Sequence, residues 1–254
     1  MTTLILSRHQ LHLLSRSPGL LFGLFMAPVL MIYLFGLVFS SLINDPQTGL
    51  NATDYFGSTL LSLGILQGTF IASWAVGKEE RTGAARRLAI APVSPRQVLA
   101  GTLIGTWLIL FSLSVLVYLA CRFFLSVRYA LPLPQVLAVI AAESFLACSF
   151  GIGLSSLAGS EKKASPIIST AVPLFCFLGG SYTMIPPQGA LHDLARFSPL
   201  RWVNLALLPD ALRAITAGPT VREAPEYLLP VFLSCLIPGS IIILIALLMP
   251  RRPQ

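Results

Sequence analysis

The side chains with chemistry to offer are few and unevenly placed. Of the 17 Lys/Arg and 10 Asp/Glu in 254 residues, seven crowd between Gly77 and Thr102: Lys78, Glu79, Glu80, Arg81, Arg86, Arg87 and Arg96. One carboxylate, Glu143, stands inside an otherwise charge-free apolar run. Neither forms a catalytic pattern. A phosphate cradle needs G-x-x-x-x-G-K-[ST], whereas Gly77-Lys78 lacks the upstream glycine and is followed by Glu79. The sequence has no H-E-x-x-H and no G-x-S-x-G. What the charged segment can do is recognise a partner. Leu88 and Ile90 are apolar anchors among charges that would set register; the plain alternative is a solvated loop carrying topogenic charge. Glu143 in hydrocarbon must be protonated or hydrogen-bonded, by Ser144 or by neighbouring helices. It would serve either a substrate or proton pathway or a neutral bond between helices.

No metal site is expected. His9 and His12 share a helix face at i,i+3, but no Cys or carboxylate lies near them, and they read as an interfacial polar face. Cys121, Cys148, Cys176 and Cys235 sit in or beside apolar runs without C-x-x-C spacing, as small buried residues do.

The elements that carry these residues belong in a bilayer. Hydrophobic residues make up 55% of the chain and charged ones 11%, against about 25% charged in soluble proteins. With a mean hydropathy of +0.81, there is too little polar material to clothe a soluble core. The net charge of +7 forms no extended soluble basic face, so nucleic acid is not an expected partner. About 20 apolar residues cross ~30 Å of hydrocarbon. Six stretches qualify: Leu20–Ser41, Tyr55–Val76, Val98–Cys121, Gln135–Ala158, Ser165–Ile185 and Tyr227–Met249. The run from Ser17 to Asn44 is too long for the core of a cleaved signal.

Lys/Arg asymmetry orients these spans. With the N-terminus inside, eleven of the 17 basic residues fall on the cytoplasmic side, and the first outer loop, Leu42 to Asp54, has none. The expected architecture is therefore all-α, a single transmembrane domain over 1–254 with six spans and both termini cytoplasmic. Residues 1–18 read as an amphipathic interfacial helix, with Leu4, Ile5, Leu11, Leu13 and Leu14 opposite Arg8, His9, His12 and Arg16. Residues 77–97 form the largest cytoplasmic loop. Within it Ala84–Ala91 is a strong helix former, stopped by Pro92 and Pro95, with acids before it and Arg86/Arg87 further along, as the helix dipole prefers. Residues 186–226 read as a re-entrant or interfacial hairpin: one helix near Gly189–Phe197, another near Leu200–Ala214, with Trp202 at interface depth.

Glu80-Arg81-Thr82-Gly83 through Leu88, then Ala91-Pro92-Val93-Ser94, resembles the cytoplasmic loop of type-2 ABC exporter permeases, whose pattern is E-x-x-G-T-L-E-x-L-x-x-x-P-V-S. Gly179-Gly180, Pro186 and Phe197-Ser198-Pro199 with Trp202 resemble that family's segment around its outer hairpin. Ala84-Ala85-Arg86 departs from the family's Thr-Leu-Glu. The resemblance implies the multi-pass transmembrane subunit of an ATP-driven exporter in a bacterial-type cell membrane. Its partners would be two copies of an ABC ATPase, which hold the ATP and Mg, and a second permease copy or a related chain; this chain itself would carry no cofactor. The coupling residues implied are Glu79, Glu80, Arg81, Gly83, Arg86, Arg87, Leu88 and Pro92. The nearly charge-free spans favour a hydrophobic or amphipathic cargo such as a drug, antibiotic, lipid-like molecule or peptide. A proton-coupled carrier using Glu143, or a non-transporting immunity or signalling protein docking through the loop, are the alternative readings.

Overall fold

The computed structural model describes residues 7, 18–45, 49–81, 94–186, 188–217 and 222–249. The expected interfacial helix (with His9 and His12), the helix Ala84–Ala91 and the basic pair Arg251/Arg252 lie outside the described residues, Ser7 and Pro18 apart. Among the described residues the chain is helical, save one isolated antiparallel bridge, Asp45 to Leu50, between the first two long helices.

The long helices are α1 (Pro18–Val38), α2 (Ala52–Arg81), α3 (Pro95–Phe124), α4 (Leu133–Ala158) and α5 (Glu161–Gly179). Three short helices follow, α6 (Ala190–Ala195), α7 (Pro199–Leu207) and α8 (Asp210–Ala217), then a 3-10 turn at Ala224–Tyr227 and the last long helix, α9 (Leu228–Leu248). Among the described residues, four helical stretches are long and apolar enough to cross a membrane: Ala52–Lys78, Arg96–Phe124, Leu133–Ala158 and Ala224–Leu248.

Several boundaries differ from expectation, each for a physical reason. α2 runs on through Arg81, so the loop expected at 77–97 begins as helix: Lys, Glu and Arg all favour helix, and 30 residues at ~1.5 Å each outrun the hydrocarbon. α3 starts where a capping box sets it. Ser94 Oγ accepts from the Gln97 amide at 3.3 Å, Gln97 Oε1 accepts from the Ser94 amide at 3.1 Å, and Pro95 takes the first helical position. α5 begins four residues before the expected Ser165, taking in Glu161, Lys162 and Lys163, and ends at Gly179 rather than Ile185 because Gly180 turns left-handed (φ 80°). The helix expected over Leu200–Ala214 is split into α7 and α8. Leu208, preceding Pro209, is forced extended (ψ 136°).

α4 is the central pole, with no exposed residue from Gln135 to Ala158. α2 packs along one side of it. Gly151 allows this, because a Cβ there would collide with the Thr69 carbonyl and stand 2.7 Å from the Ala72 methyl. Two small residues complete the seam, with Ser73 Oγ and Ser155 Oγ 2.7 Å apart. On the other side α9 lays Gly239 against Phe145 and Ser149. Trp107 of α3 donates its indole N–H to the Ala141 carbonyl at 3.0 Å. In lipid no hydrophobic force pulls helices together, so such small-residue contacts and hydrogen bonds must do it.

The surfaces facing away from this centre suit hydrocarbon. α3 exposes Ile104, Leu108, Ser112 and Leu116 at four-residue steps, and α9 exposes Leu229, Leu233, Ile237, Ile241 and Leu244. At the end where α3 meets α4, the loop Leu125–Pro132 folds back over the start of α2. The Arg128 backbone N–H and Nε each reach the buried Asp54 carboxylate at 2.8 Å, and burial pushes the Tyr129 phenol well above its ordinary pKa. That clasp fixes the start of α2.

Candidate functional site

α2 and α5 run antiparallel, pinned together at both ends. At one end the Glu161 side chain lies on Gly77; at the other the Tyr55 hydroxyl donates to the Gly180 carbonyl at 2.6 Å. Between these pins, equal helical rise puts Gln67 at the level of Ser169 and Thr170. All three are exposed.

α5 buries a single stripe, Ala164, Ile168, Val172, Cys176 and Gly179, at steps of three and four residues. Its opposite face is bare. That face carries Ser165, Pro166, Ser169, Thr170 and Pro173, flanked by Ile167, Leu174 and Phe177. Ser169 Oγ donates to the Ser165 carbonyl at 2.8 Å and Thr170 Oγ1 to the Pro166 carbonyl at 3.0 Å, so the hydroxyl oxygens still offer lone pairs outward. Pro166 and Pro173 have no N–H, so the Lys162 and Ser169 carbonyls lose their i→i−4 partners. A backbone polar group set against lipid without a partner costs several kcal/mol. The bare face of α5, with three hydroxyl side chains and two interrupted carbonyls, therefore suits water, a polar group of a cargo or another protein chain.

One end of α5 is capped by the segment after it. Ser198 Oγ donates to the Phe175 carbonyl at 2.8 Å, and Asn204 Nδ2 donates to the Gly179 carbonyl at 2.8 Å and the Ser181 hydroxyl at 3.3 Å. Two buried arginines hold the cap. Arg213 donates from Nε to the Leu205 carbonyl (2.9 Å), from Nη2 to the Leu208 carbonyl (2.7 Å), and from Nη1 to Asp210 (2.8 Å) and the Arg222 carbonyl (3.3 Å). Arg201 donates to the Thr216 carbonyl, and burial pulls its guanidinium below the ordinary value. Pro199 opens α7, Trp202 donates its indole N–H to the Arg196 carbonyl at 3.0 Å, and Pro186 is exposed in the preceding turn.

Glu143 sits at the middle of the bundle. It is fully buried on α4, and neither carboxyl oxygen has a hydrogen-bond partner among the described residues; Ser144 Oγ has none either. No group of three or more His, Cys, Asp or Glu among the described residues could hold a metal.

Of the residues that the family resemblance implies for coupling, Glu79, Glu80 and Arg81 lie in the last turn of α2. Gly83, Arg86, Arg87, Leu88 and Pro92 lie outside the described residues. A match to the family described as ABC-2 family transporter protein covers residues 47–249, from the start of α2 to the end of α9. The chain belongs to the ABC-2 transporter family. It is the membrane permease component of an ABC transporter, a multi-pass membrane protein, and membership implies association with an ABC ATPase. A search of curated proteins finds no match.

Gln67, Ser169, Thr170, Arg201 and Arg213 are not among the residues that motif and charge single out in the sequence. A signal for the first three was available: Gln67 is the sole amide of its apolar run, and Ser165, Ser169 and Pro173 recur at the helical step. The two arginines look like ordinary loop charges, and only the tertiary structure shows them buried.

Proposed function

We propose that this ABC-2 permease is the membrane half of an ATP-driven exporter and that the bare face of α5, level with Gln67 of α2, walls its transport pathway. The observation that carries this is the bare face of α5, which gathers Ser165, Ser169 and Thr170 with the two helix-interrupting prolines Pro166 and Pro173. All six long helices span the membrane, with both termini cytoplasmic, and Asp54, Arg128 and the α6–α8 cap on the outer side. A second permease, identical or related, supplies the opposing wall and completes the path. Two ATPase subunits hold ATP and Mg beneath it. Their closure moves the segment 82–93, and α2 and α3, which enter the bundle from the two ends of that segment, carry the motion inward.

The cargo is hydrophobic or amphipathic. Gln67, Ser169 and Thr170 offer neutral hydrogen bonds, with Phe70 and Phe177 as apolar surface beside them. Each group can orient a polar head without the cost of desolvating a charge. Glu143 is too enclosed to meet cargo in this conformation, which favours ATP over a proton gradient as the energy source.

Co-purification of the chain with an ABC ATPase, followed by a screen for compounds that stimulate ATP hydrolysis, tests the reading. Replacement of Glu80 or Gly83 is expected to depress stimulated hydrolysis while membrane insertion is retained. Unaltered stimulation in both variants would remove the coupling assignment.

A further inference from the structure

Gly77 and Glu161 meet at the end of the bundle nearest the loop 82–93, one turn before α2 ends. The Glu161 side chain lies flat on the bare backbone of Gly77: a Cβ on Gly77 would stand 2.7 Å from Glu161 Cδ and 2.8 Å from its Cβ, and would collide with Oε2. Glu161 is also the first residue of α5, joined to α4 by only Gly159 and Ser160, with Gly159 left-handed at φ 77°. A push on Glu161 is therefore a push on α5, whose bare face is the wall of the pathway. The far end of the same helix pair is held by Tyr55 and Gly180. α5 is thus held directly by α2 at two points, one at each end of the pair.

We propose that the Gly77–Glu161 contact passes the movement of the cytoplasmic loop from α2 straight into α5, making both of them positioning residues for transport. The inference rests on the functional reading above. Coupling inside a membrane protein needs an element that cannot slip against its neighbour. A glycine filled by a neighbour's side chain meets that need, since any tilt of α2 toward α5 meets Glu161 without slack.

The test uses the full chain in complex with its ABC ATPase, reconstituted in lipid nanodiscs. Spin labels on Lys163→Cys and Phe124→Cys, both exposed positions, report by pulsed electron resonance how α5 moves relative to the far end of α3. In the parent chain, trapping with MgATP and vanadate is expected to shift this distance. Gly77→Ala, which wedges the contact apart, and Glu161→Ala, which empties it, should each reduce the shifted population between about twofold and about thirtyfold. A full shift in either alanine variant overturns the proposal while leaving the exporter reading intact. No shift in the parent chain overturns both.

Discussion

Ser73 and Ser155 share a hydrogen bond of 2.7 Å in the buried seam between α2 and α4, and Ser155 Oγ also lies 2.7 Å from the Gly151 carbonyl. The seam thus joins the helix that enters the loop to the central pole. Bonds between helices in membranes are worth ~0.6 kcal/mol on average, so Ser155→Ala should lower stability only slightly. Gly151→Val should do far more, because its side chain has nowhere to go but into Thr69 and Ala72. A loss of at least ~1–3 kcal/mol is expected. Thermal unfolding in detergent would rank the two, and equal stability would show that the seam is looser than described.

Glu143 gives a prediction of opposite sign. A buried carboxyl without a partner costs about 1–3 kcal/mol. Glu143→Met, similar in length and apolar, should therefore raise the unfolding temperature. Retention of so unfavourable a group points to a role in the cycle, so the gain should come with slower ATP-driven transport. A lower unfolding temperature would mean that Glu143 has a bonding partner in the membrane.

Arg213 should tolerate no substitute. Lysine keeps the charge but cannot reach the Leu205, Leu208 and Arg222 carbonyls and Asp210 together. Arg213→Lys is expected to cost roughly 1–3 kcal/mol for each acceptor left buried and unpaired, and to open the α6–α8 cap to limited proteolysis. Resistance equal to the parent chain would contradict the anchoring role.

Much of this was legible from residue order. Apolar runs located the six long helices, and among the described residues four of these are long and apolar enough to cross a membrane. Ends were misplaced where charge continued a helix, as at Lys78–Arg81 and Glu161–Lys163, since a hydropathy boundary marks the edge of lipid and not the last hydrogen bond. The candidate site was harder to see. Gln67 and Thr170 are 103 positions apart, and nothing local says that Tyr55–Gly180 and Gly77–Glu161 bring their helices into register. Ser169 and Thr170 are ordinary helix residues until the neighbour packed on the opposite stripe shows which face is left bare.

The central claim is that the face of α5 carrying Thr170 lines a pathway worked by ATP. All four native cysteines are buried, so a new thiol can be read against a quiet background. In the complex with its ATPase, Thr170→Cys should react with a charged, membrane-impermeant maleimide at a rate that changes when MgATP and vanadate are added. Leu108→Cys, on the lipid-facing stripe of α3, should react only with a lipid-soluble maleimide under both conditions. If Thr170→Cys behaves as Leu108→Cys does, indifferent to nucleotide and closed to the charged reagent, α5 faces lipid and the account is wrong.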